Sequence, residues 1–173
     1  LAQVVGLLTS SDCDARKVSA LVLGLMGCCN CVHDLARQLH HSDPMVWQMA
    51  EHAMWSIWLR AGNEQANAHL AHGMAHFEKR QFQHAINEFS LAIATDPKFA
   101  EAFNQRAMAY YLLEDYEQCQ ADCRTAVELM PLHFGAWSGL GHCQACLGDI
   151  PGAITSYRRA YEINPHLDCV KEL

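Results

Sequence analysis

Three histidines stand at helical spacing near the middle of the chain. His69, His72 and His76 follow one another at intervals of three and four residues, so they share one face of a predicted helix. Neutral imidazoles bind divalent metals, and one further ligand would complete a site. The same spacing also suits side chains that pack and form hydrogen bonds beneath a neighbouring helix. Packing is the preferred interpretation, and a His-rich metal-sensing domain is the alternative.

Cysteines form a second group of reactive residues. Cys28 and Cys31 have the two-residue gap of a zinc half-site, which Cys13 or His33 would have to complete. Val32 follows Cys31 where a haem attachment motif requires histidine. The nine cysteines are odd in number. Four of them fall on predicted helices, mostly at packing positions, namely Cys119, Cys123, Cys143 and Cys146. This pattern indicates free thiols rather than a disulfide framework. Free thiols favour a reducing compartment and predict a cytoplasmic protein.

The remaining composition narrows the function classes. No Ser–His–Asp order, phosphate-binding glycine loop or carboxylate pair appears, so neither an enzyme nor a cofactor is predicted. The net charge is −7 and the 12 Lys and Arg residues are scattered, which argues against nucleic acid. The most apolar run, residues 18–29, is shorter than the roughly 20 residues that span a bilayer. Because the chain begins with Leu1 rather than Met, we expect a piece of a longer protein or a processed chain.

A repeat organises the chain from position 66 onwards. Pro97, Pro131 and Pro165 recur at one constant interval, and sets of small and bulky residues keep the same interval. A fixed period of this length predicts stacked helical hairpins. The predicted helices are 67–79 with 83–95, 100–113 with 116–128, and 134–147 with 150–163.

These positions resemble the tetratricopeptide repeat. The third copy carries Trp137, Leu140, Gly141, Ala153, Tyr157 and Pro165. The second copy carries Phe103, Ala107, Tyr110, Cys119, Cys123, Ala126 and Pro131. The first carries Gly73, Ala85, Phe89, Ala92 and Pro97. The resemblance implies an all-α, right-handed superhelical α-solenoid, with repeats at 66–99, 100–133 and 134–167 and a tail or partial cap at 168–173. It also places His69, His72 and His76 at packing positions.

The segment before this array contains a shorter internal repeat. Ser11-Asp12 and Ser42-Asp43 are equivalent in its two copies, and each pair stands where an N-cap is expected, before an apolar helix. The pattern of residues 12–27 resembles HEAT repeats of the short type found in phycobilin lyases. The resemblance implies about two HEAT-like hairpins over residues 1–61. It also leaves open, as an alternative function, a tetrapyrrole held on a concave face.

The tetratricopeptide resemblance implies a partner-binding groove along the first helix of each hairpin. Its predicted residues are Asn67, Leu70, Met74, Phe77, Glu78, Glu101, Asn104, Met108, Tyr111, Leu112, Ser138 and His142. Methionines and aromatics suit an extended or helical apolar peptide. The predicted function is therefore a protein-interaction scaffold, unless the chain's own segments cover the groove. Uncapped ends of the array also predict possible self-association.

Some family members bind acidic chaperone tails through a clamp of Lys, Arg and Asn on this face. None of the predicted groove residues is Lys or Arg, and Arg106 belongs to a packing position. Glu78 and Glu101 would repel a carboxylate. These residues therefore predict that the chain does not bind such tails.

Overall fold

The computed structural model describes residues 1–167, and all regular structure within them is helical. This range contains ten α-helices, which confirms the predicted all-α class. The described chain divides into two compact units. The first comprises Leu1–Ala61 with residues 163–166, and the second comprises Gly62–Glu162 with Leu167. The predicted tail or partial cap at 168–173 lies outside the described residues.

The first unit contains four α-helices and one short 3₁₀ turn. Its elements are α1 (Ala2–Leu7), α2 (Cys13–Met26), the 3₁₀ turn (Cys29–Cys31), α3 (Val32–Gln38) and α4 (Pro44–Trp58). The helices α2 and α4 pack against each other. Gly24 permits their close approach, since a Cβ there would lie 3.2 Å from the Ala53 Cα atom.

The two longer helices of this unit begin in the same way. The Asp12 carboxylate accepts the backbone N–H of Asp14 at 2.9 Å, and the Asp43 carboxylate accepts that of Met45 at 2.9 Å. Each bond satisfies a donor that the first turn of a helix leaves unpaired. Pro44 occupies the first position of α4, where its missing N–H does no harm. The predicted caps are therefore confirmed.

The second unit contains three helical hairpins. Its helices are α5 (Glu64–Glu78), α6 (Phe82–Thr95), α7 (Ala100–Leu112), α8 (Tyr116–Leu129), α9 (Phe134–Cys146) and α10 (Ile150–Ile163). The last residue of α10, Ile163, is assigned to the first unit. Most bounds lie within one residue of those predicted. The exception is α5, which begins at Glu64 because the Asn63 side chain accepts the Ala66 N–H at 2.9 Å and caps it.

The turn inside each hairpin has the same backbone geometry. Arg80, Glu114 and Gly148 occupy equivalent positions of the three copies and have φ values of 59°, 61° and 81°. This left-handed conformation ends a helix by turning the next N–H back onto it. In the first hairpin the Gln81 N–H donates to the His76 carbonyl at 2.9 Å. The chain then reverses directly into the second helix of the pair.

In two of the hairpins, a glycine on the first helix packs against an aromatic ring from the second helix. A Cβ at Gly73 would overlap the Phe89 ring, and one at Gly141 would lie 2.7 Å from the Tyr157 ring. Because real Cβ atoms do not approach so closely, each ring occupies the space that the missing side chain leaves. Both glycines thus allow close packing of the two helices, although glycine disfavours a helix by about 1 kcal/mol relative to alanine.

Candidate functional site

The predicted groove residues on α5, α7 and α9 divide into two groups by exposure. Eight are exposed or half-buried, namely Asn67, Met74, Phe77, Glu78, Met108, Tyr111, Leu112 and His142. Four are buried, namely Leu70, Glu101, Asn104 and Ser138. Side chains in the second group lie beneath the surface and do not present atoms to a partner. The candidate surface is therefore narrower than the sequence predicts.

An apolar stripe on α7 is the most exposed part of that surface. Met108 is 44% exposed and Leu112 is 48% exposed, and they lie one helical turn apart. Tyr111 is half-buried and lies three residues after Met108, on the same face. Large apolar side chains left in water along one helix face are a feature of interaction surfaces.

Aromatic rings extend the stripe towards the third hairpin. The Tyr111 ring lies 6.1 Å from the His142 ring and 5.6 Å from the Tyr116 ring, measured between centroids. The His142 ring lies 5.2 Å from that of Tyr157. Partial burial raises the pKa of the Tyr111 phenol, and the neighbouring Cys146 raises it further. Tyr111 therefore stays neutral, with an apolar ring and a polar hydroxyl.

His142 has a defined orientation within this cluster. Its Nδ1 atom lies 2.7 Å from the Ser138 carbonyl oxygen. A carbonyl can only accept, so Nδ1 carries the hydrogen, and in the neutral ring Nε2 is the acceptor. The His142 side chain can thus offer one hydrogen-bond acceptor beside an otherwise apolar surface.

Glu101 belongs to a buried hydrogen-bond network instead of the surface. His133 Nε2 lies 2.6 Å from a Glu101 carboxylate oxygen, and both side chains are fully buried. His133 Nδ1 accepts the Ala136 N–H at 3.1 Å, so Nε2 carries the proton and donates to Glu101. Gln105 donates to the other carboxylate oxygen at 2.6 Å. The expectation that Glu101 repels an incoming carboxylate is wrong, because the protein's own donors occupy it.

Arg106 is held by its own hairpin and by α6 of the preceding one. Its guanidinium donates two hydrogen bonds of 2.7 Å to the Asp122 carboxylate and a third of 3.0 Å to the Ser90 hydroxyl. Asp122 is 8% exposed at its side chain. This fork-shaped pairing fits the prediction that Arg106 is a packing residue, and it leaves the guanidinium committed to contacts with α8 and α6.

The three helically spaced histidines do not form a packed interior face. The side chain of His72 is 70% exposed. His69 is half-buried and its Nδ1 lies 2.8 Å from a Glu88 carboxylate oxygen, while His76 Nδ1 lies 2.7 Å from the Gln81 amide oxygen. The preference for packing is therefore wrong for His72. His69 and His76 contact polar groups of their own hairpin, which fits the hydrogen bonding that was part of the same interpretation.

The cysteines also differ from the prediction of free thiols. Cys119 on α8 and Cys143 on α9 form a disulfide. Cys123 lies beside them, and burial raises the pKa of its thiol to about 12. Within residues 1–167, neither Cys28 nor Cys31 belongs to a group of three possible metal ligands, so the zinc half-site has no partner there.

Sequence reasoning missed the pairs that join successive hairpins, since His133 caps α9 and Cys143 lies on it. Glu101 and His133 are 32 residues apart, and Cys119 and Cys143 are 24 residues apart. The only available signal was the repeat register, which aligns His133 with the fully buried Phe99 of the preceding copy. A polar residue at a position that is apolar one period earlier indicates a buried partner.

Comparison with known proteins finds a family that part of the second unit resembles. The tetratricopeptide repeat family matches residues 100–133, which include α7 and α8. The matched residues resemble one tetratricopeptide repeat. Over 101 residues it is 31% identical to the Hsp70-Hsp90 organizing protein of Triticum aestivum, covering 58% of this chain and 17% of that protein.

Solved tetratricopeptide structures share the fold. The second TPR of Spaghetti (RPAP3) bound to HSP90 peptide SRMEEVD is 26% identical, with a TM-score of 0.58 over 58% of this chain and 94% of that one. The second TPR domain of human RPAP3 in complex with HSP70 peptide SGPTIEEVD is 25% identical, with a TM-score of 0.60 over 61% and 88%. The chain spans only 12% to 53% of the length of curated relatives that it matches.

Helix length and polarity bear on membrane insertion. Among residues 1–167, none of the helices combines the length and the apolar character needed to cross a bilayer.

Proposed function

We propose that this chain is a protein-interaction scaffold module that binds an apolar peptide segment of a partner along α5, α7 and α9. The segment is extended or helical. The proposal needs no catalytic group, cofactor, nucleic acid or membrane. It is supported by the tetratricopeptide fold, which binds peptides in the RPAP3 structures named above.

The exposed stripe on α7 carries this proposal. Met108 and Leu112 each leave nearly half of their surface in water, and Tyr111 continues towards the His142 ring. Methionine adapts its shape to different partners, and tyrosine adds contact area with little loss of side-chain freedom. A groove of this composition suits side chains spaced at i, i+3 and i+4 on a partner helix, or alternate residues of an extended segment.

Charge separates the proposed partner from the acidic peptides bound by the relatives. Both SRMEEVD and SGPTIEEVD carry carboxylates. Lys and Arg are absent from the eight exposed or half-buried groove residues, and Glu78 among them is exposed. Arg106 is already paired with Asp122. We therefore propose an apolar segment of low negative charge as the ligand.

A peptide-display selection followed by fluorescence anisotropy tests the proposal. The test variant carries Met108→Glu and Leu112→Glu, and the matched control carries Leu91→Glu, which changes a 47% exposed leucine on α6. We expect selected apolar peptides to bind the wild type and the control but not the test variant. SRMEEVD should bind none of the three.

Two results would overturn the proposal. One is equal peptide affinity in the wild type and the α7 variant while both keep the same helicity. The other is selective binding of SRMEEVD, which would indicate an acidic-tail site despite the missing cations.

The first unit is proposed to be a pair of HEAT-like repeats within residues 1–61, followed by tetratricopeptide repeats at 66–99, 100–133 and 134–167. Support comes from the Asp12 and Asp43 caps, which occupy equivalent positions of the two copies and start α2 and α4. The close approach of α2 and α4 at Gly24 also fits helical repeats that stack side by side.

A further inference from the structure

In the second unit, the first hairpin carries two histidines and a glutamate at the place where the second hairpin has an ion pair. The repeat register aligns His72 with Arg106 and Glu88 with Asp122. In the second hairpin these positions hold the forked Arg106–Asp122 pair. In the first hairpin they hold an imidazole and a carboxylate, and His69 adds a second imidazole.

The three side chains converge from two helices. His69 and His72 lie one turn apart on α5, and Glu88 reaches them from α6. One Glu88 oxygen lies 2.8 Å from His69 Nδ1 and 3.9 Å from His72 Nδ1. One ligand atom from each residue lies within 4.8 Å of the others.

These distances suit a tetrahedral metal ion. Ligand atoms bound to zinc at about 2.0–2.1 Å are roughly 3.3 Å from one another, which falls between the two observed separations. Imidazole nitrogen and carboxylate oxygen are both common zinc ligands. The His72 side chain is 70% exposed, so its ring has room to rotate towards Glu88.

Charge balance gives a second, independent reason. In the second hairpin the Arg106 guanidinium neutralises the Asp122 carboxylate. Histidine ligates metals as the neutral ring, so two bound imidazoles would bring no charge to Glu88. A divalent cation supplies at this position the positive charge that arginine supplies one repeat later.

We propose that His69, His72 and Glu88 form a surface zinc site on the α5–α6 hairpin, with the fourth position open to water or an external ligand. The exposed position of His72 gives the ion a direct path from solvent. His76 and His84 lie one turn further along the same two helices, with ring centroids 5.5 Å apart. They add two further imidazoles one turn away but are not its ligands.

Titration of the apo protein with zinc chloride tests the site, followed by NMR of the histidine rings and by calorimetry. The ring signals identify the ligands even where cysteine thiols also bind zinc. The main variant is His72→Arg, which installs the arginine of the second hairpin opposite Glu88. Glu88→Gln is a second variant that removes only the charge, and His40→Ala replaces an exposed histidine of the first unit as the control.

We expect zinc to shift the His69 and His72 ring signals, and both site variants to weaken that binding by at least about tenfold. His40→Ala should bind as the wild type does. Unmoved His69 and His72 signals would overturn the proposal, as would equal zinc affinity in wild type and Glu88→Gln. A loss with His40→Ala as large as that with His72→Arg would also overturn it. Because no peptide is present, the result is independent of the proposed groove.

Discussion

The α5–α6 and α7–α8 hairpins have the same register but different pairs of side chains at their contact positions. Where α5 meets α6, Gly73 faces the ring of Phe89. One period later, Ala107 and Cys123 occupy these positions in one buried cluster. A residue without a side chain is matched with a large ring, and a methyl group is matched with a small thiol. The two positions therefore vary as a pair, and neither can be understood alone.

The polar contacts of the two hairpins also occupy equivalent positions with different pairs of side chains. The Arg106–Asp122 pair is a closed fork of hydrogen bonds, with both groups largely removed from water. The corresponding His72 and Glu88 are 3.9 Å apart, and His72 is mostly exposed. A common backbone thus supports a rigid ion pair in one repeat and an accessible group of ligands in another. The repeat register determines which positions are in contact. The residue types at those positions determine whether the contact is an ion pair or a group of possible metal ligands.

The largest change in the free energy of unfolding is expected at the hairpin that contains the buried ion pair. Arg106→Ala leaves the buried Asp122 carboxylate without its cation and should lower the free energy of unfolding by about 3 kcal/mol. His72→Ala, at the equivalent exposed position, should change it by no more than about 0.5 kcal/mol. Urea unfolding followed by circular dichroism measures both. Similar losses in the two variants would contradict the distinction between the hairpins.

A smaller effect is expected from exchanging the small residues. Gly73→Ala places a methyl group against the fully buried Phe89 ring and should destabilise the protein by about 1–3 kcal/mol, despite the better helix propensity of alanine. Ala107→Gly has no ring to accommodate and should lose about 1 kcal/mol. Thermal unfolding of both single variants checks this. A Gly73→Ala variant that is more stable than the wild type would refute the proposed pairing.

The smallest effect concerns reactivity rather than stability. Burial and the nearby Asp122 raise the pKa of Cys123 to about 12. Raising the pKa lowers the thiolate fraction, which at pH 8 would be about one part in ten thousand. Iodoacetamide should therefore leave Cys123 unmodified in the native protein and modify the exposed Cys28 and Cys146. Peptide mass spectrometry measures the extent of modification at the three cysteines. Rapid labelling of Cys123 in the native protein would contradict the prediction that burial protects its thiol.

The repeat period was sufficient to predict the helices of the second unit. Proline ends a helix because it cannot continue the hydrogen-bond ladder, and its recurrence at Pro97, Pro131 and Pro165 locates three helix ends. Local signals of this kind act within a few residues. The structure accordingly departs from prediction mainly at the start of α5, where the Asn63 cap moves the boundary.

The depth of side chains was harder to predict. The pattern placed Glu101 and Asn104 on the same helix face as Met108, but it contained no information on which part of that face a later repeat would cover. Glu101 is buried because His133, the N-cap residue of α9, reaches it from the next hairpin. The disulfide of Cys119 and Cys143 likewise joins two different hairpins. Such pairs depend on how repeats meet, which residue spacing within one helix does not reveal.

The left-handed turns of the three hairpins have a consequence for protein engineering. Only the third turn uses glycine, at Gly148, whereas Arg80 and Glu114 adopt the same left-handed conformation with full side chains. A non-glycine residue in this region costs about 1 kcal/mol, partly balanced by the extra freedom that glycine has when unfolded. The first two connectors therefore hold torsional strain that the surrounding helices tolerate. Arg80→Gly or Glu114→Gly should therefore stabilise the array without changing the α7 stripe or the histidine-rich face of the first hairpin.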